Sequence, residues 1–193
     1  MNLLGYEDDK ARELMMRYPY FMGFWQGRDI ENLKMADPFD LLEGLEEFQQ
    51  AGMDRAFSNF LCDAQLISEE LLKYALDYSI VRDYSKFVSC YDGKLTMDLI
   101  IDMLMANVDY DIVSMAVKKV DKVKNITKLI DAASWGLSTP DVIFLIDRLD
   151  GKADKSQIED LIDISGEEIY PYLSSFVTKL SEKDQGELNE KYY

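Results

Sequence analysis

The 193-residue chain contains no histidine, and this absence bears on most catalytic and metal-binding mechanisms. Histidine is the usual general base near neutral pH and a common metal ligand. Without it the chain has no Ser-His-Asp or Cys-His catalytic site, no His-ligated zinc site and no haem ligation through histidine. The phosphate-binding patterns GxGxxG and GxxxxGKS/T and the calcium-loop pattern are also missing. The sequence therefore predicts a protein that is not an enzyme and that uses no metal and no cofactor.

Cysteine, proline and long apolar runs are scarce as well. Cys62 and Cys90 are the only cysteines. Two thiols in an acidic chain without a secretory leader predict a reducing compartment, the cytoplasm. Cys62 follows two apolar residues and is interpreted as a small buried residue rather than as half of a disulfide. No apolar run approaches the roughly eighteen residues of a membrane span, so we expect no membrane association.

Positive charge is scarce relative to negative charge. The chain has 37 acidic and 21 basic residues, a formal net charge of −16. The charge is distributed unevenly along the chain. The segment 1–64 has 13 acidic and 6 basic residues, and the segment 131–193 has 14 acidic and 6 basic residues. The segment 65–130 between them has 10 acidic and 9 basic residues. Such a chain is repelled by nucleic acid and by anionic lipid, and it is attracted to a basic partner. Two acidic ends therefore flank a nearly neutral middle.

What the sequence does contain is a regular series of helix starts. Small polar residues that cap helices recur about every fourteen residues from Ser68 onward. They are Asp37, Ser68, Asp83, Thr96, Asp109, Asn125, Thr139 and Asp154. The step from Asp37 to Ser68 is 31 residues, about two such units. Because proline follows Asp37 and Thr139 at the first helical position, these two starts are especially clear. The series predicts many short helices joined by short turns.

The pattern predicts an all-α fold, since no segment shows sustained alternation of apolar and polar residues. We expect a stack of about ten to twelve short antiparallel helices, α-solenoid-like in form. Similar segments begin at Leu66, Leu95 and Leu137, which favours a repeat. An irregular helical bundle is the alternative. A single domain over 1–193 is predicted, and a division into a helical subregion 1–64 and a helical-repeat region 65–193 stays open.

Two clusters of carboxylates are candidate partner-binding faces. Both follow helical spacing, so each cluster lies along one side of a predicted helix. The candidate residues are Asp40, Glu43, Glu46 and Glu47 in the first cluster and Glu159, Asp160, Asp163, Glu167 and Glu168 in the second. The plain interpretation is a solvated helix face. The functional interpretation is contact with a basic protein.

A dense aromatic segment between residues 18 and 25 has two interpretations. It is either a hydrophobic cap on the helical stack or an anchor for a partner, because tyrosine and tryptophan dominate interface hot spots. The candidate anchor residues are Tyr20, Phe21, Phe24 and Trp25.

One basic cluster stands out in the nearly neutral middle. It consists of Lys118, Lys119, Lys122, Lys124 and Lys128. Such a patch can contact phosphates. Because the surrounding chain is strongly negative and no aromatic residues interleave, internal salt bridging or solvation is the favoured interpretation.

Together these features predict an acidic protein-binding module that docks on a basic surface of another protein. The most concrete version is an inhibitor that imitates nucleic acid and occupies the nucleic-acid-binding surface of a nuclease or a CRISPR-type effector. No direct binding to nucleic acid is expected. One alternative is a helical-repeat adaptor that binds a peptide or protein in an apolar groove. Another is an enzyme that depends on carboxylates and a metal.

Overall fold

The computed structural model describes residues 54–63, 65–77 and 84–193. The described α-helices are α1 (Asp54–Asp63), α2 (Glu69–Asp77), α3 (Tyr84–Cys90), α4 (Met97–Met105), α5 (Tyr110–Val117), α6 (Ile126–Ser134), α7 (Thr139–Ile146), α8 (Lys155–Ser165), α9 (Ser174–Val177) and α10 (Glu182–Tyr192). A 3₁₀ helix, Glu167–Leu173, lies between α8 and α9. No β-strand forms in these ranges, so the all-α prediction is confirmed for them. None of the helices described is long and apolar enough to cross a membrane.

The chain divides into two compact units, residues 1–93 and 94–193. The predicted single domain and its subdivision near residue 64 stay predictions. In the first unit, α3 packs against both α1 and α2. Leu61, Leu71 and Phe87 are fully buried and supply the apolar contacts of these helices. The Tyr84 hydroxyl donates a hydrogen bond of 3.0 Å to the carbonyl of Leu72, so the start of α3 is tied to α2.

The interpretation of the cysteines is wrong. A disulfide bond joins Cys62 near the end of α1 to Cys90 at the end of α3, with 5.4 Å between the Cα atoms. Both residues are only half-buried. The bond closes a loop of 28 residues, which in the chain-entropy model stabilises the fold by about 3.5 kcal/mol. Because disulfides are typical of oxidising environments, the cysteines no longer support the cytoplasmic prediction.

The second unit is built from successive helix pairs. The first helices of three pairs, α4, α6 and α8, contact each other in that order. The second helices follow the same order, since α5 contacts α7 and α7 contacts the 3₁₀ helix. The core lies between the two rows and contains Ile100, Leu129, Val142 and Leu161, all fully buried.

A backbone repeat of 28 to 30 residues underlies these pairs. Leu95, Val123 and Ala153 precede the three first helices and are all buried. Isolated parallel bridges join Leu95 to Val120 and Val123 to Leu149. Each bridge joins the segment that leads into a helix pair to the segment that leaves this pair for the next one. The Val123 N–H donates to the Arg148 carbonyl at 2.9 Å.

The capping prediction is confirmed at five of its eight positions. The side chains of Ser68, Thr96, Asp109, Asn125 and Asp154 each accept a hydrogen bond from a backbone N–H in the first turn of the following helix. At the start of α7 the cap is Ser138 rather than Thr139, one residue earlier. Asp37 and Asp83 lie outside the described residues. Local cap chemistry therefore sets the helix starts of the second unit.

The end of the chain differs from the pattern of regular helices. Gly166 ends α8 with a φ of +100°, a conformation that L side chains rarely adopt, and the chain then turns into the 3₁₀ helix. That helix contains Pro171, which cannot donate a backbone hydrogen bond. The final helix, α10, is capped by Ser181 and is strongly polar.

Candidate functional site

Three turns of the second unit come together at one edge. Each turn joins the first helix of a pair to the second. The Tyr110 hydroxyl donates to Ser138 Oγ at 2.5 Å and to Asp141 Oδ2 at 3.1 Å, which joins the first turn to the second. The Thr139 hydroxyl donates to the Ser165 carbonyl at 2.9 Å, which joins the second turn to the third.

We call this surface the acidic edge and define it as residues 105–111, 131–141 and 163–168. It contains seven acidic residues and no lysine or arginine: Asp109, Asp111, Asp131, Asp141, Asp163, Glu167 and Glu168. All of them except Asp141 are exposed. The absence of any cation in three separate stretches of sequence concentrates negative charge on one surface, where fields from neighbouring charges add.

Asp141 has a structural role at this edge. Its side chain is buried, with 6 % relative exposure. The hydroxyls of Ser114 and Ser138 donate to it at 3.0 and 2.9 Å, and the Tyr110 hydroxyl donates at 3.1 Å. A buried carboxylate is costly unless such donors satisfy it. Asp141 therefore fixes the position of the first two turns.

Apolar side chains project beside these carboxylates. Met105, Trp135 and Ile164 stand at the ends of α4, α6 and α8, and their relative exposures are 52 %, 54 % and 44 %. Their spacings of 30 and 29 residues follow the repeat. Because each of the three turns exposes one such side chain, these side chains are candidates for partner contacts.

The opposite edge of the same unit carries a net positive charge. We call it the lysine edge and define it as residues 94–98, 118–125 and 147–155, where each pair connects to the next. It contains eight basic and five acidic residues. The parallel backbone bridges lie within it. The two edges therefore differ in net charge although both are made of helix ends.

The second predicted acidic cluster is divided by the structure. Asp163, Glu167 and Glu168 belong to the acidic edge, whereas Glu159 lies farther back along α8. Asp160 is exposed on α8. The first cluster (Asp40, Glu43, Glu46 and Glu47) and the aromatic anchor (Tyr20, Phe21, Phe24 and Trp25) lie outside the described residues.

The C-terminal helix α10 engages two of the predicted acids. Lys191 Nζ lies 3.4 Å from Glu159 Oε1, and the Tyr192 hydroxyl lies 3.4 Å from Asp163 Oδ1. The fully buried Leu188 supplies the apolar contact of this helix. Glu159 is thus occupied within the chain, with 28 % side-chain exposure, and it is a weaker candidate for partner contact than Glu167 or Glu168.

The same helix is tied to the start of α8 by the ion pair between Lys155 and Glu187. The hydrogen bond from Lys155 lowers the pKa of Glu187, and the same bond raises the pKa of Lys155. On the neighbouring 3₁₀ helix, burial raises the pKa of Tyr170, whose hydroxyl lies 2.8 Å from Asn189 Oδ1. These contacts hold α10 along α8.

The basic cluster lies partly in ion pairs, as its favoured interpretation predicts. Lys122 Nζ is 3.6 Å from Asp150 Oδ2, and Lys128 Nζ is 2.8 Å from Asp98 Oδ1. The hydrogen bond to Asp98 raises the pKa of Lys128.

Sequence reasoning missed the exposed apolar residues and the acids Asp111 and Asp131, and it named Asp109 only as a helix cap. A signal for them was present, because Asn107, Gly136 and Gly166 recur at spacings of 29 and 30 residues. Each has a positive φ of 53°, 96° and 100°, respectively, and each marks the turn after a first helix. Aligning the chain on these three residues would have superposed the turns and shown that all three lack lysine and arginine.

Among the residues that the structure describes, no three His, Cys, Asp or Glu side chains form a group that could hold a metal ion. Comparison of the whole chain with known proteins found no matching family model, no matching curated protein and no matching solved structure.

Proposed function

We propose that this protein is a protein-binding module whose acidic edge docks on a basic surface of another protein. The observation that carries the proposal is the assembly of three lysine-free and arginine-free turns into one acidic surface. Electrostatic complementarity of this kind steers encounter and selects partners. The helix pairs of residues 94–193 serve as an α-solenoid-like stack that sets the spacing of these turns. The contacts between successive first helices and between successive second helices support this part of the proposal.

The partner class follows from the pattern of charge. Carboxylates presented at repeated turns resemble a row of phosphates, so the partner is a nucleic-acid-binding protein such as a nuclease or a CRISPR-type effector. The chain acts as an inhibitor by occupying the surface that nucleic acid would use. The net charge of −16 supports this assignment, because it favours long-range attraction to a basic surface.

A charge-reversal variant tests the proposal. The variant Asp111→Lys/Asp131→Lys/Glu167→Lys changes one exposed acid in each of the three stretches that define the acidic edge. The matched control Asp147→Lys/Glu182→Lys/Glu190→Lys has the same net charge and changes exposed acids elsewhere in the second unit. Immobilised wild-type protein and both variants are used to capture proteins from a lysate of the source cells at low salt. Duplex DNA and a salt step are then used as separate eluents.

The expected result is capture of nucleic-acid-binding proteins that duplex DNA displaces and salt releases. The edge variant should bind the purified partner about tenfold more weakly, equal to about 1.4 kcal/mol, and the control should bind like wild type. Equal weakening by both variants would show that net charge alone matters. Retention that resists both DNA and salt would contradict the proposal.

A second candidate function rests on the exposed side chains of Met105, Trp135 and Ile164. In this version the chain is a helical-repeat adaptor, and the apolar residues at the turns supply most of the binding energy, as hot spots do. Binding would then persist at high salt and fall with Trp135→Ala, whereas the charge-reversal variant would change it little. The carboxylate- and metal-dependent enzyme stays a prediction.

A further inference from the structure

A cavity opens on the lysine edge and reaches Lys128 in the first turn of α6. Its volume is about 490 Å³, within the range of small-molecule sites. It lies at the starts of α4 and α6, and four lysine side chains line it. They belong to Lys94, Lys122, Lys124 and Lys128.

The charge of this lining is opposite to that of the chain. The four lysines are accompanied by two carboxylates, Asp98 and Asp121, so the lining carries a formal charge of +2 in a chain of −16. Lys124 has no ion-pair partner in the part of the chain that the structure describes. Lys122 Nζ lies 3.6 Å from Asp150 Oδ2, which is not part of the lining, so Asp150 balances part of the excess positive charge and Lys124 contributes the rest.

The internal pairs leave the lysines able to rearrange. Lys94 lies 3.2 Å from Asp121, and Lys128 lies 2.8 Å from Asp98. The side chains in these two pairs are 47 % to 71 % exposed. Ion pairs this exposed contribute little stability, so an incoming dianion can compete with the carboxylates for the ammonium groups.

Two further features of the cavity favour an anion with a carbon skeleton. Helices α4 and α6 both begin here, after the caps Thr96 and Asn125, and a helix start carries partial positive charge. Leu95 and Met97 add apolar atoms to the lining. An inorganic phosphate alone is too small to fill this volume.

We propose that this cavity binds a small phosphomonoester. Its phosphate, with a charge of about −1.5 to −2 at neutral pH, lies among the four lysines, and its carbon portion lies against the apolar part of the lining. A long polyanion is disfavoured by the net charge of the chain. The site is on a different surface from the acidic edge and does not depend on the proposed docking function.

Calorimetry with the full chain tests this proposal, with AMP as the probe and adenosine and inorganic phosphate as comparisons. Lys124→Gln/Lys128→Gln removes two cavity lysines. Lys118→Gln/Lys152→Gln makes the same charge change at exposed lysines that do not line the cavity. Circular dichroism confirms that each variant is folded. Amide NMR shifts of residues 94–98 and 121–128 locate the site.

We expect AMP to bind, adenosine not to bind, and inorganic phosphate to bind at least tenfold more weakly than AMP. The cavity variant should lose at least tenfold in affinity for AMP, and the control variant should change less than twofold. The proposal is overturned if AMP does not bind, if adenosine binds equally well, if phosphate binds as tightly as AMP, if both variants lose affinity equally, or if the shifted amides lie elsewhere.

Discussion

The acidic edge and the lysine edge of residues 94–193 are made of the same structural parts and carry opposite charge. At the acidic edge α4, α6 and α8 end while α5 and α7 begin, and at the lysine edge the reverse holds. Each edge therefore contains both helix starts and helix ends. Asp109, Asp111, Asp141, Glu167 and Glu168 stand at the cap or in the first turn of α5, α7 or the 3₁₀ helix, where the helix dipole favours acidic residues, so helix stabilisation accounts for part of the difference in charge.

The largest expected effect comes from breaking the packing that joins the two edges. Leu129 is fully buried on the central helix α6, which contacts α4, α7 and α8. Leu129→Ala should lower the free energy of unfolding by about 3 kcal/mol, because it removes buried apolar atoms and leaves a cavity. Urea denaturation measures the loss. The control Ser134→Ala, at an exposed position of the same helix, should change stability by less than about 0.5 kcal/mol, and an equal loss would contradict the repeat core described above.

The next effect separates a structural acid of the acidic edge from its surface acids. Asp141→Ala should lower the free energy of unfolding by about 2 kcal/mol, because the half-buried hydroxyls of Ser114 and Ser138 and the hydroxyl of Tyr110 lose their common acceptor. Asp131→Ala, at an exposed acid of the same edge, should change it by less than about 0.5 kcal/mol. Thermal unfolding of the two variants checks the difference. Similar values for both would mean that the hydroxyl network does not hold the turns together.

A smaller effect should be equal on the two edges. Asp109 caps α5 at the acidic edge, and Asn125 caps α6 at the lysine edge. Replacing either with alanine should cost about 1 kcal/mol, since each side chain satisfies a backbone N–H at a helix start. Chemical denaturation measures both losses. A much larger loss at one edge would show that the surrounding charge, and not the cap alone, stabilises that helix.

The smallest effect is the pH dependence of α10, which lies along α8 between the two edges. The pKa of Glu187 is lowered in the folded chain. The stabilisation from its ion pair with Lys155 is therefore fully present above the unfolded pKa of about 4.3, and it is lost as pH falls through the lowered pKa. The pKa of Lys155 is raised in the folded chain, so the same stabilisation is fully present below the unfolded pKa of about 10.4 and is lost as pH rises through the raised pKa. Amide NMR shifts of residues 182–192 should therefore change at both extremes. Glu187→Gln should remove the acid transition, and the exposed control Glu190→Gln should retain it.

Much of the fold could be predicted because it depends on local chemistry. Thr96, Asp109, Asn125 and Asp154 cap helices through side-chain bonds to residues two or three positions away, so the sequence contains both partners. The Thr139 cap is wrong by one residue, because Ser and Thr stand side by side there and both can cap a helix. The disulfide was missed because residues 62 and 90 are distant in sequence, and only the packing of α1 on α3 brings them together.

The candidate site was predicted only in part. The acids at residues 163–168 were named from helical spacing within one segment. Asp131 and Trp135 were not, because their importance depends on neighbours from turns about 30 residues away.

The sequence by itself determined that the described part of this chain is helical and where most of its helices begin. It also determined the excess of acidic residues. These properties follow from composition and from contacts within one or two turns of helix. Only the tertiary structure decided which charges share a surface, because the contacts between successive helix pairs place every second turn on the same side. These contacts separate seven acids on one edge from a group of lysines around a cavity on the other.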